Sequence, residues 1–265
     1  MPKDYTAEIS CIGAWLCDEN AGETLTDKSQ NLNNFTFKAA GEPAWSSVNP
    51  PKSYTPCYID FDGIDDICTL INPALLNAAL DSGYSFCAWI KFGDLARDRA
   101  AIGGAGNFEL TLQCYLDGEL YCYFGHGTSW VQSGQGKIND INTWYHIAAT
   151  RKTTGQKKVY INGVDQLGAD HGGQFAIAPP QLYLGLDAGA GYLKGKMCQV
   201  AIFNTELLQA DIDDIITYGL KPQAVYPKAN LKRGFNSGFA AFLSQYCKAK
   251  KLGLTPLKLP DGTPF

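Results

Sequence analysis

The stretch from Asn142 to Gly163 limits most strictly what this chain can fold into. It reads Asn142-Thr-Trp-Tyr-His-Ile-Ala-Ala-Thr-Arg151, then Lys152-Thr-Thr-Gly-Gln156, then Lys157-Lys-Val-Tyr-Ile-Asn-Gly163. Two apolar, aromatic and β-branched runs around a polar turn predict a β-hairpin, and Asn162-Gly163 predicts a second tight turn. Alternate side chains of a strand point to opposite faces. Trp144, His146, Ala148 and Thr150 therefore share one face, and Tyr145, Ile147 and Ala149 the other. Both faces carry apolar bulk, so the hairpin is expected inside a layered β structure. Trp144 is expected in the core, and His146 as a buried or groove residue with its hydrogen bonds satisfied.

Further strands are expected at residues 9–17, 57–61, 84–92, 182–186 and 196–203. A hairpin from Phe108 to Phe124 turns at Leu116-Asp-Gly118, with Gly118 in the left-handed position. That register sets Cys114 opposite Leu120 and Leu112 opposite Cys122, which keeps both apolar sides aligned. Residues 18–34, 39–56, 126–136 and 168–173 read as loops rich in Gly, Pro, Asp or Asn, and the glycine-rich run 101–106 precedes the 108–124 hairpin. Asn72-Pro73 begins a short helical stretch over 74–80. Thr205 is the expected N-cap of a helix carrying Leu207, Leu208, Ile212, Ile215 and Ile216 on one face.

Several of these pieces, in order, resemble laminin-G-like domains of the concanavalin A-like lectin and glucanase superfamily. The resemblance rests on the central hairpin together with Gly13-Ala-Trp-Leu16, Asp27-Lys-Ser29 with Asn31 to Phe37, and Ile59-Asp-Phe-Asp-Gly-Ile-Asp65. Tyr84-Ser-Phe-Cys-Ala-Trp-Ile90, Leu182-Tyr-Leu-Gly185 and Gly195 to Asn204 complete it, over roughly residues 8 to 220. It implies an all-β, two-sheet antiparallel jelly-roll sandwich at 1–220, with short helices. Residues 221–265 lie beyond it and are expected to add a helix and an extended tail. Phe235, Phe239, Phe242, Leu243 and Tyr246 recur there at helical spacing.

The superfamily's glucanases use a Glu-x-Asp-x-x-Glu type of motif, because glycoside hydrolysis needs two carboxylates facing the scissile bond. No such run occurs in the sequence, and an enzyme is not expected. Calcium, which many relatives bind, would draw on the Asp27–Asn34 loop and on Asp62 to Asp66. The last strand reads Met197-Cys198-Gln199 where many relatives carry an acidic residue, so no cofactor is expected. For sugar binding the candidates are Trp130 with His126, and Tyr192 with Asp187, aromatic and polar residues in Gly-rich loops.

A net charge of −4 spread along the chain offers no basic footprint for nucleic acid. No apolar run approaches the ~20 residues of a membrane-spanning helix. The first residues, Met1-Pro-Lys-Asp-Tyr-Thr-Ala-Glu8, lack the apolar segment of a signal peptide. Nine cysteines, none at zinc-ligand spacing, are expected mostly as small buried apolar residues of a chain made in a reducing compartment. The expected function is non-catalytic recognition. It would be exercised by a surface component, decoration or fibre, of a phage or virus particle that contacts other protein subunits and surface glycans. The alternative is a secreted carbohydrate-binding domain of a larger extracellular protein.

Overall fold

The computed structural model describes residues 2–38, 42–71, 83–96, 98–104, 110–124, 130–134, 136–172, 181–186 and 191–221. Among the described residues seventeen strands, numbered in chain order, form two antiparallel sheets. The first sheet runs β14 (Val164–Asp165), β13 (Lys157–Ile161), β12 (Tyr145–Arg151), β7 (Tyr84–Phe92), β17 (Lys194–Phe203), β5 (Tyr58–Asp62) and β4 (Ala44–Ser46). Its eighth strand, β1 (Cys11–Trp15), pairs with the second half of β17. The other sheet runs β15 (Asp170–His171), β11 (Trp130–Gln132), β10 (Leu120–Tyr123), β9 (Thr111–Cys114) and β8 (Arg99–Gly104). It continues through β16 (Gln181–Leu184), β6 (Cys68–Ile71), β3 (Phe35–Phe37) and β2 (Thr24–Leu25).

Both expected hairpin registers are present. Ile147 pairs with Ile161 and Arg151 with Lys157, and Asn162 (φ +51°) and Gly163 (φ +81°) make the tight turn into β14. Cys114 pairs with Leu120 and Leu112 with Cys122, around Gly118 at φ +82°. The inner faces meet in one core. Phe86, Ala88, Ile90 and Phe92 of β7 pack there with Tyr145, Ile147 and Ala149 of β12, against Leu112, Leu120 and Leu184 of the other sheet. A bulge keeps β17 in register with this core. Cys198 pairs with Trp89 but Ala201 with Cys87, so one residue is extra, and Gln199 takes φ +52°. The bulge inverts the alternation, turning Val200 and Ile202 inward and Ala201 and Phe203 outward.

The outer face of the first sheet is covered by helix α1 (Gln209–Tyr218). Small residues on three adjacent strands, Cys87, Ala148 and Ala201, give Ile212 and Ile215 a seat, and each buried isoleucine contributes roughly 1.5–3 kcal/mol. This cover explains why β7 is apolar on both faces. The helix entry differs from expectation, because Leu208 rather than Thr205 is the N-cap. Ser85 draws the preceding residues onto the sheet instead: its hydroxyl donates to the Thr205 carbonyl (2.9 Å) and accepts from the Leu207 N–H (2.8 Å). Asp211 Oδ2 then accepts from the Leu208 N–H at 3.0 Å.

Other expectations are corrected. Residues 99–104, where no strand was expected, form β8, since Gly103 and Leu182-paired Gly104 supply backbone pairing without side-chain signal. Trp130 lies on a strand, not in a loop. Trp144 precedes β12 and is half-buried, its ring edge-on to Tyr58 at 5.3 Å and its N–H donating to the Asn49 carbonyl. The chain divides at Gln223/Ala224. The expected helices at 74–80 and beyond 221 lie outside the described residues.

Candidate functional site

The register that sends Leu112, Cys114, Leu120, Cys122 and Val131 into the core sends their neighbours outward. On β10 those neighbours are Tyr121 and Tyr123, opposite Gln132 and Trp130 of β11, while Trp130 pairs in turn with His171 of β15. Their rings form a continuous row. Tyr115 and Tyr121 have centroids 4.2 Å apart, Tyr121 and Trp130 5.2 Å, and Trp130 and His171 3.6 Å at an interplanar angle of 17°. Tyr123 flanks the row, 6.3 Å from Trp130, with its hydroxyl 3.1 Å from that of Tyr115. Trp130, Tyr121 and Gln132 are half-exposed and His171 is exposed. Burial, with Glu119 nearby, raises the Tyr121 phenol above its ordinary value, so it stays a neutral donor and acceptor.

At the β15 end the row adjoins a cleft of about 320 Å³ lined by Lys158, Asp165 and Asp170 among others. Its charges are paired. Lys157 Nζ contacts Asp170 Oδ1 and the His171 carbonyl, and Lys158 Nζ contacts Asp165. Lys157 thereby anchors the two-residue strand that carries His171.

Of the four residues singled out from sequence, Trp130 sits at the heart of this row. Tyr192 does not join it: no ring contact links the two among the described residues, and the Tyr192 carbonyl accepts from Arg99 Nη1 at 2.7 Å. His126 and Asp187 lie outside the described residues. Tyr115, Tyr121, Tyr123 and His171 went unrecognised. Three of them were within reach, because the period-2 pattern that aligned the cysteines and leucines also aligns Tyr121 and Tyr123 on the opposite face. His171 was not, since only the folded topology brings it to Trp130.

The two calcium candidates separate. Asp27 is buried and its carboxylate is saturated, accepting from the N–H groups of Ala14, Ser29 and Asn33 and from the Ser29 hydroxyl at 2.8–2.9 Å. It pins β1 to its loop and has no oxygen left for a cation. Asp62, Asp65 and Asp66 lie close enough together to share one, with ligand atoms within 4.8 Å of each other. These groups also serve their turn. Asp62 Oδ1 accepts from the Ile64 and Asp65 N–H groups, and Asp66 Oδ2 from the Asp62 N–H. His146 is buried as expected, but neither ring nitrogen has a hydrogen-bond partner among the described residues. Burial, reinforced by the Lys52 ammonium, pushes its pKa down to about 3.

A family model of the concanavalin A-like lectin/glucanases superfamily matches residues 62–213. No curated protein matches the chain in sequence. Among solved structures, domain 4 of AbnA, a GH43 extracellular arabinanase from Geobacillus stearothermophilus in complex with arabinotriose, superposes with a TM-score of 0.60 at 21% identity. That similarity covers 78% of this chain and 98% of the domain. A botulinum neurotoxin type C structure, from work on cell entry dependent upon interaction with two ganglioside molecules, gives 0.55 at 15% identity, covering 80% of this chain and 52% of that one. Trypanosoma rangeli sialidase in complex with a difluoro-KDN gives 0.54 at 12% identity, over 80% and 33%. This chain thus spans about half of the toxin chain and a third of the sialidase, and all three likenesses concern the fold. With the family model covering more than half of its length, the chain belongs to the concanavalin A-like lectin/glucanase superfamily.

Proposed function

We propose that this chain is a non-catalytic glycan-recognition module whose ligand lies along the Tyr115–Tyr121–Trp130–His171 row. The observation that carries this reading is the row itself: four rings in contact on the outer face of a rigid sheet, ending on an exposed imidazole. Sugar rings have apolar C–H faces and polar rims. Flat aromatic side chains bury the former, while Gln132 and the tyrosine hydroxyls can bond the latter. Hydrolysis would instead need two carboxylates aimed at one bond. Asp170, beside the row, is committed to the Lys157 ammonium and backbone N–H. The AbnA domain solved with arabinotriose and the ganglioside-dependent toxin add weight to a saccharide ligand.

The wider setting we propose is the surface of a phage or virus particle assembled in a reducing compartment. Eight free, buried cysteines support that setting, and co-purification with particles would test it. The recognition reading is tested on a glycan array with wild type and Trp130→Ala. Removing a half-exposed ring should leave the melting temperature within a few degrees while lowering bound signal at least tenfold. Equal signals from the two proteins would refute the assignment.

A further inference from the structure

A second site lies on the other sheet. Lys196 of β17 pairs with Asp60 of β5 on one side and Lys91 of β7 on the other, and Lys194 pairs with Asp62. Met197, next along β17, points into the core, so this charged group rises together from the outer face. With Asn142 it lines a cleft of about 410 Å³, within the range of saccharide-sized sites.

The charges in this cleft are unequally committed. Lys196 Nζ contacts Asp60 Oδ2 (2.8 Å) and the Tyr58 hydroxyl (3.2 Å), and lies 4.8 Å from the Tyr58 ring centre. Lys194 makes a longer, exposed pair with Asp94 at 3.4 Å. Lys91 has no ion pair or side-chain hydrogen bond among the described residues. The cleft thus combines an uncommitted cation with two carboxylates able to accept from hydroxyls.

From this combination we infer that the cleft binds a carboxylate-bearing sugar unit. Lys91 and Lys194 hold the carboxylate, and Asp60 and Asp62 accept from ring hydroxyls. A small inorganic polyanion fits less well, because Asp60 and Asp62 would oppose it and the volume would be left unfilled. The site stands apart from the aromatic row, on the opposite sheet, and does not depend on it.

Isothermal titration of trigalacturonate, maltotriose and inorganic sulfate at fixed ionic strength tests the inference. Wild type should bind trigalacturonate at least fivefold more tightly than maltotriose or sulfate. Lys91→Gln should remove that preference, and Lys3→Gln, at an exposed lysine outside the cleft, should leave it intact. Lys194→Gln, at an exposed position, should weaken binding in the same direction and carries the test should Lys91→Gln fold poorly. The inference is overturned by absent trigalacturonate binding, by sulfate binding equally well, or by a preference that survives in both lysine variants.

Discussion

A neutral imidazole has one N–H and one lone pair, and buried polar groups nearly always find partners. His146 finds none among the described residues, lying edge-on to Trp89 with ring centres 5.3 Å apart and with Lys52 above the far ring. Folding holds its pKa at about 3, below the ordinary 6.5. The unfolded chain therefore takes up this proton first as pH falls. Stability contributed by the neutral ring is fully present above pH 6.5 and is lost progressively towards pH 3. By pH 4.5 the loss should reach about 2–3 kcal/mol. His146→Phe should remove that part of the acid sensitivity while costing little at neutral pH, since an apolar replacement leaves no unpaired group. Urea unfolding at pH 7 and pH 4.5 measures both terms, and identical losses for the two proteins would mean the ring is not held neutral. None of this was readable in sequence, where His146 looked like an ordinary satisfied core histidine. Whether a polar atom is paired depends on what the rest of the fold lays over it.

At the scale of elements, the long strands and their registers were legible because bulky residues at period 2 leave one sensible pairing. The central hairpin and the Cys114–Cys122 hairpin are the clearest cases. The strands that were missed are short or poor in side-chain signal. Residues 99–104 end in two glycines, and β15 is two residues long and exists through pairing with β11 and the Lys157 anchor. Turn glycines give this account a direct check. Gly118 and Gly155 both have positive φ, +82° and +93°. A Cβ on Gly118 would lie 2.3 Å from the Ile138 carbonyl oxygen, whereas one on Gly155 would meet nothing within 4 Å. Gly155→Ala should therefore cost about 1–2 kcal/mol from backbone strain alone. Gly118→Ala should cost clearly more, because the chain at Ile138 must also move. Equal costs in chemical denaturation would place the strain in the dihedral and not in the contact.

For the whole molecule, one sandwich core and one helix-covered outer face account for seven of the eight described cysteines, all free and buried, and Cys57 donates to the Cys17 carbonyl. Burial raises the Cys11 thiol to about 12 and those of Cys17, Cys68 and Cys198 well above the ordinary range. Reaction with a thiol reagent should be slow in the native protein and should release at least eight equivalents once the unreduced chain is denatured. A count of one or two would show disulfides and move the protein to an oxidising compartment. No helix of the described residues is long and apolar enough to cross a membrane. Helix α1 packs on Cys87, Ala148 and Ala201 of the other sheet, and the central claim is that glycans are read on the outer face of the nine-stranded sheet. Amide chemical-shift mapping with the strongest array ligand tests it most directly. The account predicts that Tyr121, Trp130, Gln132 and His171 move together, with little change along β12. Shifts confined to other surfaces, with this row unmoved under saturating ligand, would contradict it.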